Sequence, residues 1–450
     1  MIGRTACRLA AGAILVAVVS AAVPGSAAAQ AAAGATAASP DGGDALTIRY
    51  GAEYWIRASR TTDFDFDGAS DDGLNFGWHR VKPFFALRKR WFELMLQGQD
   101  SRSYGVPDLN PNGSSTYASR TSQLDFVKAF VALRPRADVL VKVGREQADG
   151  IDMGLSRKLA SSSNYGTVLK SFDQVSVRWE RPRASLGAFV ASPVNNLPYA
   201  LNTRRHGEVF WGVQALRSAQ ARMHRAYLVG RHTDRRGPAS ESGASGTSAT
   251  YALGVQEVRP IGGPRLVLDV EGLVEWGHRS TDRLRAGALF ATATRSFSPD
   301  HSVFVGYYRS SGDGRPGDGT THLFDTMYAS GFNNYGYLGL SQGRNIGDLR
   351  VGGSSRLAGP ATLQWAYHDQ ALSVRQDRWY AIFTPDIARP GTRSSRLGRE
   401  IDATLLLRFP FARRATIALG YLAYFPGRYV SGTGPHATAQ QFAIDIWGEF

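Results

Sequence analysis

The chain has 450 residues, with 52 lysines and arginines against 38 acids and a formal net charge of +14. A basic balance alone is compatible with nucleic acid, but the export signal described next excludes a cytoplasmic partner of that kind. One cysteine excludes a disulfide framework. No apolar run beyond the first residues approaches the ~18 to 20 that a membrane helix needs, which excludes a helical membrane bundle.

Arg4 and Arg8 precede an apolar run from Leu9 to about Val23, and Ala27-Ala28-Ala29-Gln30 follows. This is the pattern of a secretory signal peptide, residues 1–29, cut after Ala29. Cys7 lies inside it and ahead of the apolar run, so it is no lipid-attachment site. Loss of Arg4 and Arg8 lowers the net charge to +12. Residues 30–44 are rich in Ala, Gly and Ser and read as a flexible periplasmic lead-in; residues 45–450 read as a single domain.

That domain alternates strand and connection. Period-two patterning, with one apolar and one polar face, places strands at 45–58, 76–87, 91–100, 122–134, 137–145, 171–181, 184–192, 208–217, 221–231, 250–259, 265–276, 284–296, 301–310, 345–357, 361–373, 399–409, 413–425 and 439–450. Tight connections carry turn residues: Arg88-Lys89-Arg90, Pro135-Arg136, Pro182-Arg183, Pro260 to Pro264, Ser298-Pro299-Asp300, Ala358-Gly359-Pro360 and Pro410 to Ala412. Long polar connections alternate with them, the one near 277–283 being shorter, and Phe332 to Leu340 falls inside one of the long ones. Long outside and short inside is the wiring of outer-membrane barrels. The expected fold is an all-β, antiparallel, up-and-down transmembrane barrel of about eighteen strands, with sixteen as the alternative. The last segment, Gln440 to Phe450, puts Phe442, Ile444, Ile446 and Phe450 on one face and Gln441, Asp445 and Glu449 on the other. It reads as the closing strand, the one the barrel-assembly machinery would engage.

If the apolar parity faces lipid, the polar parity lines the lumen. On that reading Arg80, Lys82, Lys128, Lys142 and Arg178 point inward, as do Arg265, Asp269, Glu271, Glu275, Glu400, Asp402 and Arg408. Low-dielectric walls focus such charges, so a net cationic constriction concentrates anions. Arg and Asp or Glu can instead pair across the lumen as structural ladders. Lipopolysaccharide phosphates are a further partner for the excess positive charge.

Several segments resemble the alginate-export barrels of bacterial outer membranes. They are Val143-Gly144-Arg145-Glu146-Gln147, then Leu155 to Leu159 and Ser161 to Gly166, then Lys170-Ser171-Phe172-Asp173-Gln174-Val175. Gln97 to Arg102, Ser310 to Asp318, Leu397 to Asp402 and Gly420 to Gly427 add to the match. The order at 145–147 is R-E-Q rather than R-Q-E, and Gln174 stands where the family has glycine. The resemblance implies a monomeric eighteen-stranded barrel with an arginine-rich, anion-selective pore for an acidic polysaccharide. Arg145, Arg157 and Asp173 match its motif positions, and Arg102 joins them as a pore candidate. Strict parity sets Arg145 and Asp173 with lipid-facing neighbours, so a salt-bridge network pinning the 146–170 loop is an equal reading of that motif.

No G-x-S-x-G, H-E-x-x-H, P-loop or metal-spaced Cys/His cluster occurs. Asp313 to Asp318 reads as a plain turn, Asp63, Asp65, Asp67, Asp71 and Asp72 as a solvated acidic loop, and Arg231, Arg235 and Arg236 as an exposed loop edge. The reading is a non-enzymatic channel without cofactor or metal. It passes an anionic polysaccharide, or as an alternative serves as a porin for small anions. Periplasmic export partners are compatible with it. The competing class is an outer-membrane enzyme or a plugged structural barrel.

Overall fold

A computed structural model describes residues 45–68, 73–105, 122–148, 158–161, 168–197, 200–219, 221–234, 239–330, 334–381, 392–409, 415–432 and 434–450. The expected signal and lead-in, 1–44, lie outside them, as do Asp71, Asp72, Arg157, Arg235, Arg236 and the expected turn from Pro410 to Ala412.

The strands in chain order are β1 Thr47–Thr62, β2 Leu74–Lys89, β3 Phe92–Tyr104, β4 Ser122–Arg136, β5 Val139–Gln147, β6 Ser171–Arg181, β7 Ala184–Asn195, β8 Thr203–Arg204, β9 Glu208–Ala219 and β10 Arg222–Thr233. They continue as β11 Ser248–Pro260, β12 Leu266–Arg279, β13 Asp282–Ser298, β14 His301–Ser310, β15 Thr320–Thr321, β16 Ile346–Arg356, β17 Ala361–Leu372, β18 Arg396–Arg408, β19 Thr416–Pro426 and β20 Ala439–Glu449. β8 and β15 are two-residue strands on β7 and β13. The other eighteen form the wall, each antiparallel to the next. β20 pairs with β1 from Glu53 opposite Glu449 to Thr62 opposite Gln440, and Ala52 and Phe450 exchange both backbone hydrogen bonds at 2.9 and 3.0 Å. The sheet is therefore a closed barrel without a free edge. It is the eighteen-stranded fold the alternation predicts.

Short connections stand at one end, such as Arg90–Trp91, Ala137–Asp138 and Pro182–Arg183. Long ones stand at the other, the extracellular end of such barrels. The exception is the β12–β13 turn, only Ser280 and Thr281, with Ser280 at φ 51°. The wall runs past several expected strand ends: β3 continues through Ser101 and Arg102 to Tyr104, because polar residues pair as well as apolar ones above the lipid.

Alternation sorts the side chains. Val143, Val175, Val255, Phe442 and Ile444 are exposed on the outer face, as lipid contact requires. The inner face and the loops inside it carry the main buried cluster. Phe172, Phe189, Phe210, Tyr227, Phe290, Tyr308 and Tyr424 come from the wall, and Phe66, Leu159, Phe324, Tyr328, Tyr335, Leu338, Trp379 and Val430 from connections. Each such side chain contributes about 1.5–3 kcal/mol when fully buried. The extracellular half of the bore thus holds a packed core. The Phe332 to Leu340 segment forms no strand over its described residues, 334–340, and lies within that core.

Candidate functional site

The cationic side of the bore is built by β1 to β6. Period two turns Trp55 and Arg57 of β1, Arg80 and Lys82 of β2, Lys128 of β4, Lys142 of β5 and Arg178 of β6 toward the interior. Arg57 donates two hydrogen bonds to Asp445 of β20, at 2.7 and 2.8 Å, and Trp55 Nε1 donates a third at 2.9 Å. The Arg80 guanidinium lies over the Trp55 ring at 4.9 Å. Lys82 pairs with Glu53 at 2.6 Å, and Gln97 also donates to Glu53. Lys128 and Lys142 share Glu146, at 3.5 and 3.0 Å, and Lys142 sits over the Phe130 ring at 4.2 Å. Arg178 pairs with Glu180 at 2.5 Å, near the short-turn end. Three cations at Arg57, Arg80 and Lys82 meet two carboxylates, and the two lysines meet one. Positive charge is in excess at both levels, from mid-wall toward the periplasmic end.

The connection between β14 and β16, residues 311–345, is the other half of the site. It turns into the bore and is held at two places. At the first, Asp325 pairs with Arg231 of β10 and lies 3.7 Å from Arg344, while its own amide donates to Glu275 of β12 at 2.8 Å. Burial pushes the Asp325 carboxyl up, but Arg231, Arg344 and Arg279 outweigh it and hold it below the usual carboxylate range. Tyr328 donates to Glu208 of β9 at 2.6 Å, and Lys170 donates to the Tyr328 and Ala329 carbonyls. At the second, the amides of Leu338 and Tyr337 donate to Glu400 and Asp402 of β18, at 2.8 and 3.3 Å. Gln370 of β17 donates to the Tyr335 carbonyl, and Tyr308 of β14 to the Gly343 carbonyl. Gly336 has φ +103°, and a Cβ there would run into the Glu400 carboxylate. His368 lies beside Asp348 at 2.9 Å and Asp402 at 3.7 Å, tying the same acids to β16 and β17. The loop spans the extracellular half of the bore from β9 and β10 to β18.

The structure thus brings Arg80, Lys82, Lys128, Lys142 and Arg178 to one side of the interior, and Glu400 and Asp402 to the loop. It does not bring Arg102, Arg145, Asp173 or Arg408 there. Arg102 has outward parity and pairs with Asp100 at 2.9 Å, beside His79. Arg145 and Asp173 share parity with exposed Val143 and Val175 and form a two-point ion pair at 2.8 and 3.2 Å. The Asn202 carbonyl and Asp125 complete the Arg145 environment. Gly144 makes this possible: at φ +129°, a Cβ would collide with the Ala129 carbonyl. The motif is therefore a clasp within the wall that reaches the β7–β9 connection at Asn202, a salt-bridge network as in the structural alternative but with no bond from Arg145 or Asp173 to the expected 146–170 loop among the described residues. Arg408 and Arg265 are exposed at the short-turn end.

Arg231 corrects an expectation, since it is a buried interior residue rather than a loop edge; β10 simply continues to Thr233. Asp313 accepts hydrogen bonds from the amides of Arg315 and His322, and the same segment is tied to other connections, the Asp313 amide donating to Asp377 and the Gly317 amide to Glu241. Sequence reasoning misses Arg57 and Asp325. The parity of Trp55, Arg57, Ser59 and Thr61 is a signal that could have found Arg57, whereas nothing local marks Asp325.

Residues 47–444 match the model of the alginate export family. No curated protein sequence matches the chain. Among solved structures, it resembles OpdQ of Pseudomonas aeruginosa at TM-score 0.57 and 10% identity, covering 90% of this chain and 97% of that one. It resembles OpdK of the same organism, solved with vanillate, at 0.56 and 11%, covering 89% and 98%. OccK11 (OpdR), also of that organism, gives 0.54 and 12%, covering 89% and 96%. At these identities the likeness concerns the fold.

Proposed function

This chain belongs to the alginate export family, and from that premise we propose that it is an outer-membrane channel passing an anionic polysaccharide along the cationic side of its bore. The observation that carries this reading is the excess of interior cations over carboxylates at Arg57, Arg80, Lys82, Lys128 and Lys142. A carboxylated polymer entering from the short-turn end meets that excess first. Bidentate and charge-assisted contacts suit it, and low-dielectric walls strengthen them. In this reading the 311–345 loop is the gate: it is held against β9, β10 and β12 on one side and β18 on the other, across the extracellular half of the bore, so a polymer passes only when the loop yields. Residues 1–29 would be removed on export, with 30–44 as the periplasmic lead-in.

Planar-bilayer recordings of the full-length protein under a salt gradient test the proposal. The zero-current potential should report anion preference. Lys128→Ala with Lys142→Ala leaves Glu146 in excess and should reduce the anion-to-cation permeability ratio by roughly severalfold. Cation selectivity of the unaltered protein, or no conductance at any voltage, overturns the reading.

A further inference from the structure

The outer wall carries a feature that transport does not use. Near the long-loop end one row of residues crosses four strands. Arg309 of β14 stands opposite Gly347 of β16, Gly347 opposite Ala371 of β17, and Ala371 opposite Arg396 of β18. The next row toward the membrane centre is Tyr307, Leu349, Asp369 and Arg399, and the one after it Val305, Val351, Tyr367 and Ile401. All have the outward parity; Leu349, Val305, Ile401 and Tyr307 are exposed. Glycine and alanine in the middle of the first row leave a trough of about 420 Å³, flanked by Arg309 and Arg396. Strand spacing sets those two backbones about 14 Å apart, within reach of one polar group from both sides.

Charge in this patch is unbalanced. Arg309, Arg396 and Arg399 are all exposed, and the two rows contain one carboxylate, Asp369, which takes Arg396 at 3.2 Å. Three guanidinium groups facing lipid, directly above an apolar belt, are out of place unless an anion meets them at that depth. The long-loop end faces the outer leaflet, whose glycolipid carries phosphate at the level where the acyl chains begin.

We propose that this trough binds the phosphorylated headgroup of an outer-leaflet glycolipid. One phosphate sits over Gly347 and Ala371 between Arg309 and Arg396, where guanidinium forks match its oxygens. The acyl chains lie against Leu349, Val305 and Ile401. Asp369 holds Arg396 in place without cancelling the patch.

Native mass spectrometry of the full-length protein in detergent, titrated with diphosphorylated lipid A, reads the bound fraction directly. Arg309→Ala with Arg396→Ala should lower apparent affinity roughly tenfold, the loss expected for a charge-assisted phosphate contact. Ala371→Phe keeps both arginines and fills the trough, and it should lower affinity likewise. Arg88→Ala with Arg90→Ala, at the short-turn end, should leave it unchanged. Heat-modified mobility on gels verifies that each variant is folded. Dephosphorylated lipid A should bind as weakly as the double variant, and millimolar inorganic phosphate should not compete, since it lacks the acyl contacts. Equal affinity of the double variant, equal binding of the dephosphorylated lipid, or full competition by free phosphate each overturns the proposal.

Discussion

Asp445→Ala should destabilise the barrel by about 3–5 kcal/mol, the cost of breaking a buried ion pair by removing one partner. Asp445 is the acceptor for both Arg57 nitrogens and for the Trp55 indole, and the two charged side chains, Arg57 and Asp445, are 3% and 8% exposed. The contact joins β20 to β1, so it seals the pairing between the first and last strands of the described wall. Removing the carboxylate leaves the Arg57 guanidinium against Trp55 and Trp78, at 5.2 and 5.5 Å, with Arg80 nearby. Cation–ring attraction of about 1–2 kcal/mol does not replace a two-point charge-assisted pair. Urea titration of protein folded into lipid vesicles, followed by band shift on gels, gives the loss. Arg57→Leu with Asp445→Leu should recover most of it, because the damage comes from a buried charge that has lost its carboxylate rather than from a lost attraction. An unchanged midpoint for Asp445→Ala would show that closure does not depend on this pair.

Where sequence succeeds and where it stops follows from the same geometry. Period two is a local property, so it reports both the strands and the interior face: Arg80, Lys82, Lys128 and Lys142 are where parity puts them. The same rule, applied strictly, sends Arg102, Arg145 and Asp173 outward; all three have that parity in the structure, with Arg145 covered by its own partners Asp173, Asp125 and the Asn202 carbonyl. The family motif draws attention to them for a different reason, a clasp needing Gly144 in a conformation closed to other residues. The Arg57–Asp445 pair is out of reach because its partners are 388 residues apart and meet only on closure. The path of the 311–345 loop is out of reach too. Its partners, Arg231, Glu275, Glu400 and Asp402, belong to strands that sequence alone does not bring together. One hint is present: Tyr335, Tyr337, Leu338 and Leu340 are more apolar than a water-exposed loop needs.

Glu400→Ala with Asp402→Ala should open the bore. The two carboxylates accept the amides of Leu338 and Tyr337, and both of these bonds are lost when the acceptors go. Each lost bond to a buried charged acceptor costs about 1–3 kcal/mol, a cost the loop escapes by leaving the wall for water. A combined penalty of at least about 2 kcal/mol shifts the held-to-released ratio by roughly 25-fold or more. The Asp325 anchor stays intact on the opposite side, so release is confined to the part of the loop that lies against β14, β17 and β18. The stability of the wall should change little, because Glu400 and Asp402 remain paired through their backbones to β17 and β19. Single-channel recording distinguishes the alternatives. Larger or more frequent openings with the gel-shift midpoint preserved mean that the strap is the barrier to passage. Unchanged conductance with a demonstrably mobile loop would place the barrier elsewhere, at the level of Trp55, Trp78 and Arg80, where the interior is equally buried. The plug and the cationic wall then have separable roles. On the proposed function, loosening the first should change how often the channel opens, whereas neutralising Lys128 and Lys142 should change what it prefers once open.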